Sequence, residues 1–173
     1  VPPDESSTGV CQRDDPSAAA SLLMWNLWPS PGRQATTMLP SEDGVVAGEL
    51  LARKFGLPFW QMAQTASDAN RAVLRWARAV TGRRQVLVFD GCYHGAVDDA
   101  FVRLEDGQTR GRPGLVGQAA DLALHSRCVD FNDLAAVEEA LRTREIACVL
   151  AEPVMTNCGM VLPETGFHEE LRR

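Results

Sequence analysis

Residues 59–89 read FWQMAQTASDANRAVLRWARAVTGRRQVLVF, and this stretch decides the fold class. The run Phe59 to Ala63 is short, aromatic and apolar, as a buried strand is. From Asp68 to Val80 the residues Ala69, Ala72, Val73, Trp76, Ala77 and Val80 recur at helical spacing, which predicts an amphipathic helix with Arg71, Arg75 and Arg78 on its other faces. Gly82 supplies the stop, and Gln85 to Phe89 is an unbroken apolar run that predicts a second buried strand. Strand, helix and strand together make one β-α-β unit.

The same alternation continues on both sides. Ser41 can cap a helix whose first turn holds Glu42 and Asp43 at its positive end, with Val46, Ala47, Leu50 and Leu51 as the apolar face and Gly56 and Pro58 as the stop. Asn132 or Asp133 can cap another helix running to about Leu141, with Leu134, Val137, Ala140 and Leu141 inward. Ile146 to Ala151 predicts a third strand, and Phe167 to Arg173 begins a last helix. The glycines, Pro113 and mixed charges between Arg103 and Gly117 are expected to form a long loop. Residues 1–33, VPPDESSTGVCQRDDPSAAASLLMWNLWPSPGR, keep no period of either kind and are expected to be irregular. The expectation is therefore an α/β fold: a parallel sheet covered on both faces, a three-layer sandwich, with the strands at 59–63, 85–89 and 146–151 in one sheet.

Composition narrows the function. The 173 residues suffice for one domain with a real core, and 45% hydrophobic with 23% charged residues is the balance of a globular protein. A net charge of -6 with scattered arginines provides no basic stripe for nucleic acid. No apolar run is long enough to span a bilayer and no leader pattern opens the chain, so neither a membrane nor export is expected and a cytoplasmic location is. Cys11, Cys92, Cys128, Cys148 and Cys158 are odd in number and never form a C-x-x-C pair, so reduced structural thiols are expected and no metal site is.

Three stretches can carry chemistry. Thr65-Ala66-Ser67 stands between a strand and a helix N-terminus, where unpaired N–H groups and the helix dipole favour an anion; Thr65 or Ser67 could equally be a plain cap, and Asp68 suits both readings. Asp90-Gly91-Cys92-Tyr93-His94-Gly95 follows a strand at the edge where α/β proteins build sites. Its Tyr93, the only tyrosine, could lie flat on a planar ligand or simply pack in a turn, and Cys92 with His94 could suggest a thiol nucleophile and base. Ala151-Glu152-Pro153-Val154-Met155-Thr156-Asn157-Cys158-Gly159 brings a carboxylate and an amide to the same edge, although a Glu-Pro step alone is common.

Taken together, TASDANRAVLRWARAVTGR, DGCYHG and AEPVMTNCG, the last followed by a proline and GFHEELR, resemble in order and spacing the motifs of class III aminotransferases of fold type I, nearest the branch of glutamate-1-semialdehyde aminomutase and related transaminases. The resemblance covers Gln34 to Arg173 and takes in TTMLPSEDGVVAGELLARKFGLPFWQ. It implies an incomplete large domain over 34–173 and pyridoxal 5'-phosphate as cofactor. Ala66 and Ser67 match the Gly-Thr of the phosphate cup, Tyr93 the aromatic stacked on the pyridine ring with His94 beside it, and Asn157 the amide near the cofactor 3-oxygen with Glu152 close by. Two positions depart from the family pattern: Ala66 replaces Gly, its methyl narrowing the cup, and Asp68 replaces Glu.

The family's Schiff-base lysine and the aspartate that keeps the pyridine nitrogen protonated belong downstream of the matching segment. Lys54 is the only lysine and matches neither position, so no catalytic residue is expected in this chain. A start at Val1 and a single lysine suggest an N-terminal fragment. The expectations are thus a piece of a transaminase or aminomutase that moves an amino group between an amino acid and an aldehyde or keto acid, inactive by itself, its parent a homodimer with small-molecule donor and acceptor. The competing expectations are a non-catalytic remnant that pairs with a homologue, or an unrelated phosphate-binding α/β module.

Overall fold

The computed structural model describes residues 21–24 and 42–173. Its elements run β1 (Ser21–Met24), α1 (Glu42–Phe55), β2 (Trp60–Ala63), α2 (Ala66–Thr81), β3 (Gln85–Phe89), β4 (Val102–Glu105), β5 (Gln108–Gly111), β6 (Ser126–Val129), α3 (Leu134–Arg142), β7 (Ile146–Val149) and α4 (Phe167–Arg172). The chain divides into two compact units, one holding α1 and the other Met62 to Arg173.

In the larger unit, β3 is the central strand of a three-stranded parallel sheet in the order β6-β3-β7. Side chains alternate across a strand, so a strand with one solvated face shows alternating burial. Here Val86, Leu87, Val88 and Phe89 are all fully buried, so both faces of β3 are covered. Layers therefore lie on each side of the sheet, as the unbroken QVLVF run predicts. Phe89 meets Phe131 and Phe167 edge-on, with ring centroids 5.3 and 5.7 Å away. α2 packs against β7, and α3 against β6 and α4.

α2 and α3 begin where the sequence provides caps, while Ser41, expected to cap α1, lies outside the described residues and α4 starts at Gly166 without a side-chain cap. Thr65 Oγ1 accepts the Asp68 N–H at 3.1 Å, and Asp133 Oδ1 accepts that of Ala136 at 2.9 Å. Gly82, at a φ of 70°, closes α2 in the left-handed conformation that glycine adopts without strain.

Several expectations are corrected. The strand at 59–63 does not share the sheet of β3 and β7: β2 pairs with β1 in a separate two-stranded sheet. That pairing also makes Ser21–Met24 a strand inside the stretch expected to be irregular; the rest of residues 1–33, with Cys11, lies outside the described residues. The stretch from Arg103 to Gly117 is not all loop, because β4 and β5 form an antiparallel hairpin. Asp106 and Gly107 turn it with φ of 50° and 72°, both positive as a type I′ turn requires. Its strands carry Arg103, Glu105, Gln108 and Arg110, whose polarity hides the alternation. β6 was not foreseen, being four residues long with Ser126 and Arg127 in it. On α2 the deeply buried residue is Leu74, whereas Trp76 and Val80 of the expected apolar face are 58% and 76% exposed; on α1 Val46 and Leu50 are exposed as well.

These burials give a stability test. Phe167→Ala, which empties a fully buried position in the ring cluster, is expected to cost about 3–5 kcal/mol. Trp76→Ala should stay within about 0.5 kcal/mol. Urea midpoints at constant slope measure both.

Candidate functional site

Parallel strands leave a sheet at the same edge, so the segments following β3 and β7 start as neighbours. The chain turns at Gly91, whose φ is 79° and where an added Cβ would stand 3.1 Å from Cys158 Sγ. It then runs through Cys92, Tyr93, His94, Gly95 and Ala96 without a strand partner. Backbone groups so placed need other partners, and side chains supply them.

From the segment after β7, Asn157 Nδ2 donates to the Gly91 carbonyl at 3.1 Å, and Glu152 Oε1 accepts the Tyr93 N–H at 3.1 Å. The other oxygen of Glu152 accepts the N–H and hydroxyl of Thr156 at 3.1 and 2.8 Å. From α2, Asn70 Nδ2 donates to the His94 carbonyl at 2.9 Å, Ser67 Oγ accepts the Ala96 N–H at 2.9 Å, and Arg71 donates to the Ala96 carbonyl. From beyond the hairpin, Arg112 donates to the Cys92 carbonyl. The three motif stretches therefore converge: those after β3 and β7 leave one sheet edge, and the start of α2, which follows a strand of a separate sheet, joins them through its hydrogen bonds to the loop.

Each candidate residue has a defined place. Thr65 is the cap of α2, and its hydroxyl donates in turn to Asp68 Oδ2 at 2.7 Å, so the substituted Asp68 completes the cap and also lies 3.6 Å from Arg71. With the Asp68 N–H taken by Thr65, the N–H groups of Ala66 and Ser67 are the ones left without an acceptor inside the helix. Ser67 Oγ accepts from the loop and keeps its proton to donate. Tyr93 is 58% exposed. His94, by contrast, is buried, and its Nε2 has no partner. Glu152 is half-buried: burial alone would raise its carboxyl, but the hydrogen bonds from Tyr93 and Thr156 and the nearness of His94 outweigh this and hold it below the usual glutamate range. Asn157 is exposed.

The thiol-nucleophile reading of Cys92 and His94 does not survive. Cys92 is fully buried, and burial pushes its thiol up to about 11. Burial also lowers the His94 imidazole, so neither member is charged at neutral pH and no thiolate–imidazolium pair forms. Among the described residues no group of His, Cys, Asp and Glu could hold a metal ion, and no helix is long and apolar enough to cross a membrane.

Gly95 and Arg112 were not singled out from the sequence. Gly95 has a φ of 82°, and a Cβ there would lie 2.3 Å from Ser67 Oγ; the glycine in Y-H-G was the signal for it. Arg112 follows β5, and nothing in the sequence relates it to a loop twenty residues earlier.

Comparison with known proteins shows the family. Residues 34–173 match the family described as Aminotransferase class-III. A curated relative, glutamate-1-semialdehyde 2,1-aminomutase of Anaeromyxobacter sp. (strain Fw109-5), is 38% identical over 136 residues, which cover 76% of this chain and 32% of that protein. The crystal structure of a glutamate-1-semialdehyde-aminomutase from Pseudomonas aeruginosa PAO1 superimposes with a TM-score of 0.76 at 48% identity, covering 81% of this chain and 31% of that one. A substituted form of that enzyme, in complex with PMP, gives 0.75 at 48% identity, covering 79% and 30%. The chain thus spans about a third of the length of the relatives it matches.

Two measurements check the geometry. Gly95→Ala should destabilise the protein by about 1–3 kcal/mol, because a side chain must take a strained backbone and displace Ser67, whereas Ser67→Ala should cost about 1 kcal/mol. A thiol reagent at neutral pH should label exposed Cys158 at once, and Cys92 and Cys128 only on unfolding. The raised thiol of Cys92 adds a pH dependence. Its contribution to stability is complete below the ordinary thiol value and is lost as pH rises toward about 11, since the unfolded chain ionises first. Cys92→Ala should flatten that alkaline loss in urea titrations.

Proposed function

The chain belongs to the class III aminotransferase family, and from that premise we propose that residues 34–173 are the part of a transaminase or aminomutase large domain that seats pyridoxal 5'-phosphate. The observation that carries this reading is the convergence of a helix N-terminus with two unpaired N–H groups, an exposed tyrosine ring and an exposed amide on three hydrogen-bonded segments. The donors fit the cofactor's parts.

Ala66 and Ser67 offer two N–H groups and a hydroxyl proton to a phosphate at the positive end of α2. Tyr93 would lie against the pyridine ring, and Asn157 would face the 3-oxygen. Glu152 and His94 serve from behind: Glu152 spends both oxygens on Tyr93 and Thr156, and buried His94 ties its carbonyl to Asn70. When bound, the cofactor supplies an electron sink that eases loss of a proton beside an amino group. The residues here bind and orient it; the whole protein would pass an amino group between a small amino acid and an aldehyde or keto acid, as a homodimer.

Proton transfer at the reacting carbon calls for a lysine amine held in the site. Lys54, the sole lysine, lies on α1 with its ammonium 5.6 Å from the Phe55 ring centre, and it matches no catalytic position of the family. We therefore expect the 173-residue polypeptide to bind the cofactor without turnover.

Titration with pyridoxal 5'-phosphate, followed by its visible absorbance, should give saturable binding. Ser67→Ala should weaken it about tenfold, the loss of one hydrogen bond to a charged group, and Ala66→Gly should not weaken it. Borohydride treatment followed by peptide mapping should leave no adduct on a site residue, and amino transfer should be absent. Binding indifferent to Ser67→Ala, or turnover abolished by Lys54→Ala, would contradict the proposal.

A further inference from the structure

The hairpin of β4 and β5 has no part in the proposed cofactor contacts, yet it is tied to the site loop twice. Leu104 donates its N–H to Asp90 Oδ1 at 2.8 Å, directly after β3. Arg112, the residue after β5, reaches the Cys92 carbonyl with one guanidinium nitrogen while its Nε donates to the Val102 carbonyl at 3.2 Å. The backbone of Arg112 is fixed too, its N–H donating to the Phe101 carbonyl at 2.9 Å. Further along the hairpin, Thr109 Oγ1 accepts the Cys128 N–H of β6 at 2.9 Å, so Arg112 reaches the loop from a footing attached to the sheet.

The Cys92 carbonyl and the Tyr93 N–H are the two poles of one peptide group. Arg112 holds the oxygen and Glu152 holds the N–H. We propose that Arg112 is a positioning residue for Tyr93: with Glu152 it grips the Cys92–Tyr93 peptide from both ends and thereby sets the direction in which the tyrosine ring leaves the loop.

The charges and the dipole agree in sign. A carbonyl oxygen carries partial negative charge and an N–H partial positive charge, so a cation at one and an anion at the other favour a single orientation. A half-turn of the peptide would put oxygen beside carboxylate and N–H beside guanidinium, repulsive at both ends. The hydrogen bonds already described hold the Glu152 carboxyl below the usual glutamate range. Arginine suits the task because its fork holds two carbonyls at once; a lysine ammonium lacks that planar geometry. The ring is more than half exposed, so packing restrains it weakly and the backbone must set its direction. The link to catalysis rests on the reading that Tyr93 faces the cofactor ring; the grip itself does not.

The experiment uses the fact that Tyr93 is the only tyrosine. Incorporating 3-fluorotyrosine into the full chain gives one 19F resonance that reports its surroundings without any cofactor. Arg112→Gln and Glu152→Gln are each expected to shift that resonance by more than its linewidth or split it in two, and the double variant to add little to either. Arg112→Lys should fall between parent and Arg112→Gln; it is the variant to use if Arg112→Gln does not fold, and it should then still show the shift. Arg71→Gln is the control, since it removes a donor from the same loop at Ala96 without touching the Cys92–Tyr93 peptide, and should leave the resonance in place. A resonance unmoved in the Arg112 variants, or moved as far by Arg71→Gln, overturns the proposal. If the Arg112 variants move it and added pyridoxal 5'-phosphate never does, the positioning role stands and the cofactor reading of Tyr93 fails.

Discussion

A chain that leaves a buried strand takes with it backbone groups that the sheet no longer pairs, and leaving them unpaired near the interior costs about 1–3 kcal/mol each. The segment after β3 meets this constraint with side chains rather than a neighbouring strand. Asn157, Arg112, Glu152, Asn70 and Ser67 each take one of its backbone groups, in chain order from Gly91 to Ala96. The partners come from α2, from the residue after the hairpin and from the segment after β7, so satisfying this loop brings those segments to one place. The site is the consequence: the helix N-terminus that can take a phosphate is next to the tyrosine because Ser67 and Asn70 pair with the tyrosine's loop.

Two consequences for chemistry follow. Residues that look catalytic by type, Glu152 and His94, are engaged in holding the loop or are buried within it. The groups left for a ligand under the proposed reading are the Ala66 and Ser67 N–H groups, the Tyr93 ring and the Asn157 amide. Cys92 shows the same division, since the burial that fixes it at the base of the loop also keeps its thiol protonated.

How much of this was legible in the sequence depended on the length and cleanness of each pattern. QVLVF announced a strand covered on both faces because no polar residue interrupts it, and Thr65, Asp133 and Gly82 marked helix ends through local chemistry that tertiary packing did not override. The hairpin was hidden although Asp106-Gly107 is a strong turn signal, because Arg103, Glu105 and Arg110 mask its short strands. On α2 spacing selects the apolar stripe containing Trp76, but Leu74 lies on the opposite face, among Ser67, Asn70 and Arg78, and it is that face whose side chains bond to the rest of the larger unit. At the site, Tyr93 and Asn157 follow β3 and β7 of one sheet and so start at one edge, whereas Ser67 follows β2 of a separate sheet and meets the loop through its hydrogen bond with Ala96. Arg112 was invisible, since its role depends on where a hairpin folds back and no local pattern encodes that.

The central claim, that side chains hold the loop after β3 as firmly as a strand would, is tested most directly by residue-resolved amide hydrogen exchange. The N–H groups of Tyr93 and Ala96 lie outside any strand or helix, and each donates to a side chain, Glu152 Oε1 and Ser67 Oγ. They should exchange slowly, with protection comparable to the amides of Val86 to Phe89. Exchange of both at the rate of an unstructured peptide, while β3 remains protected, would contradict the account.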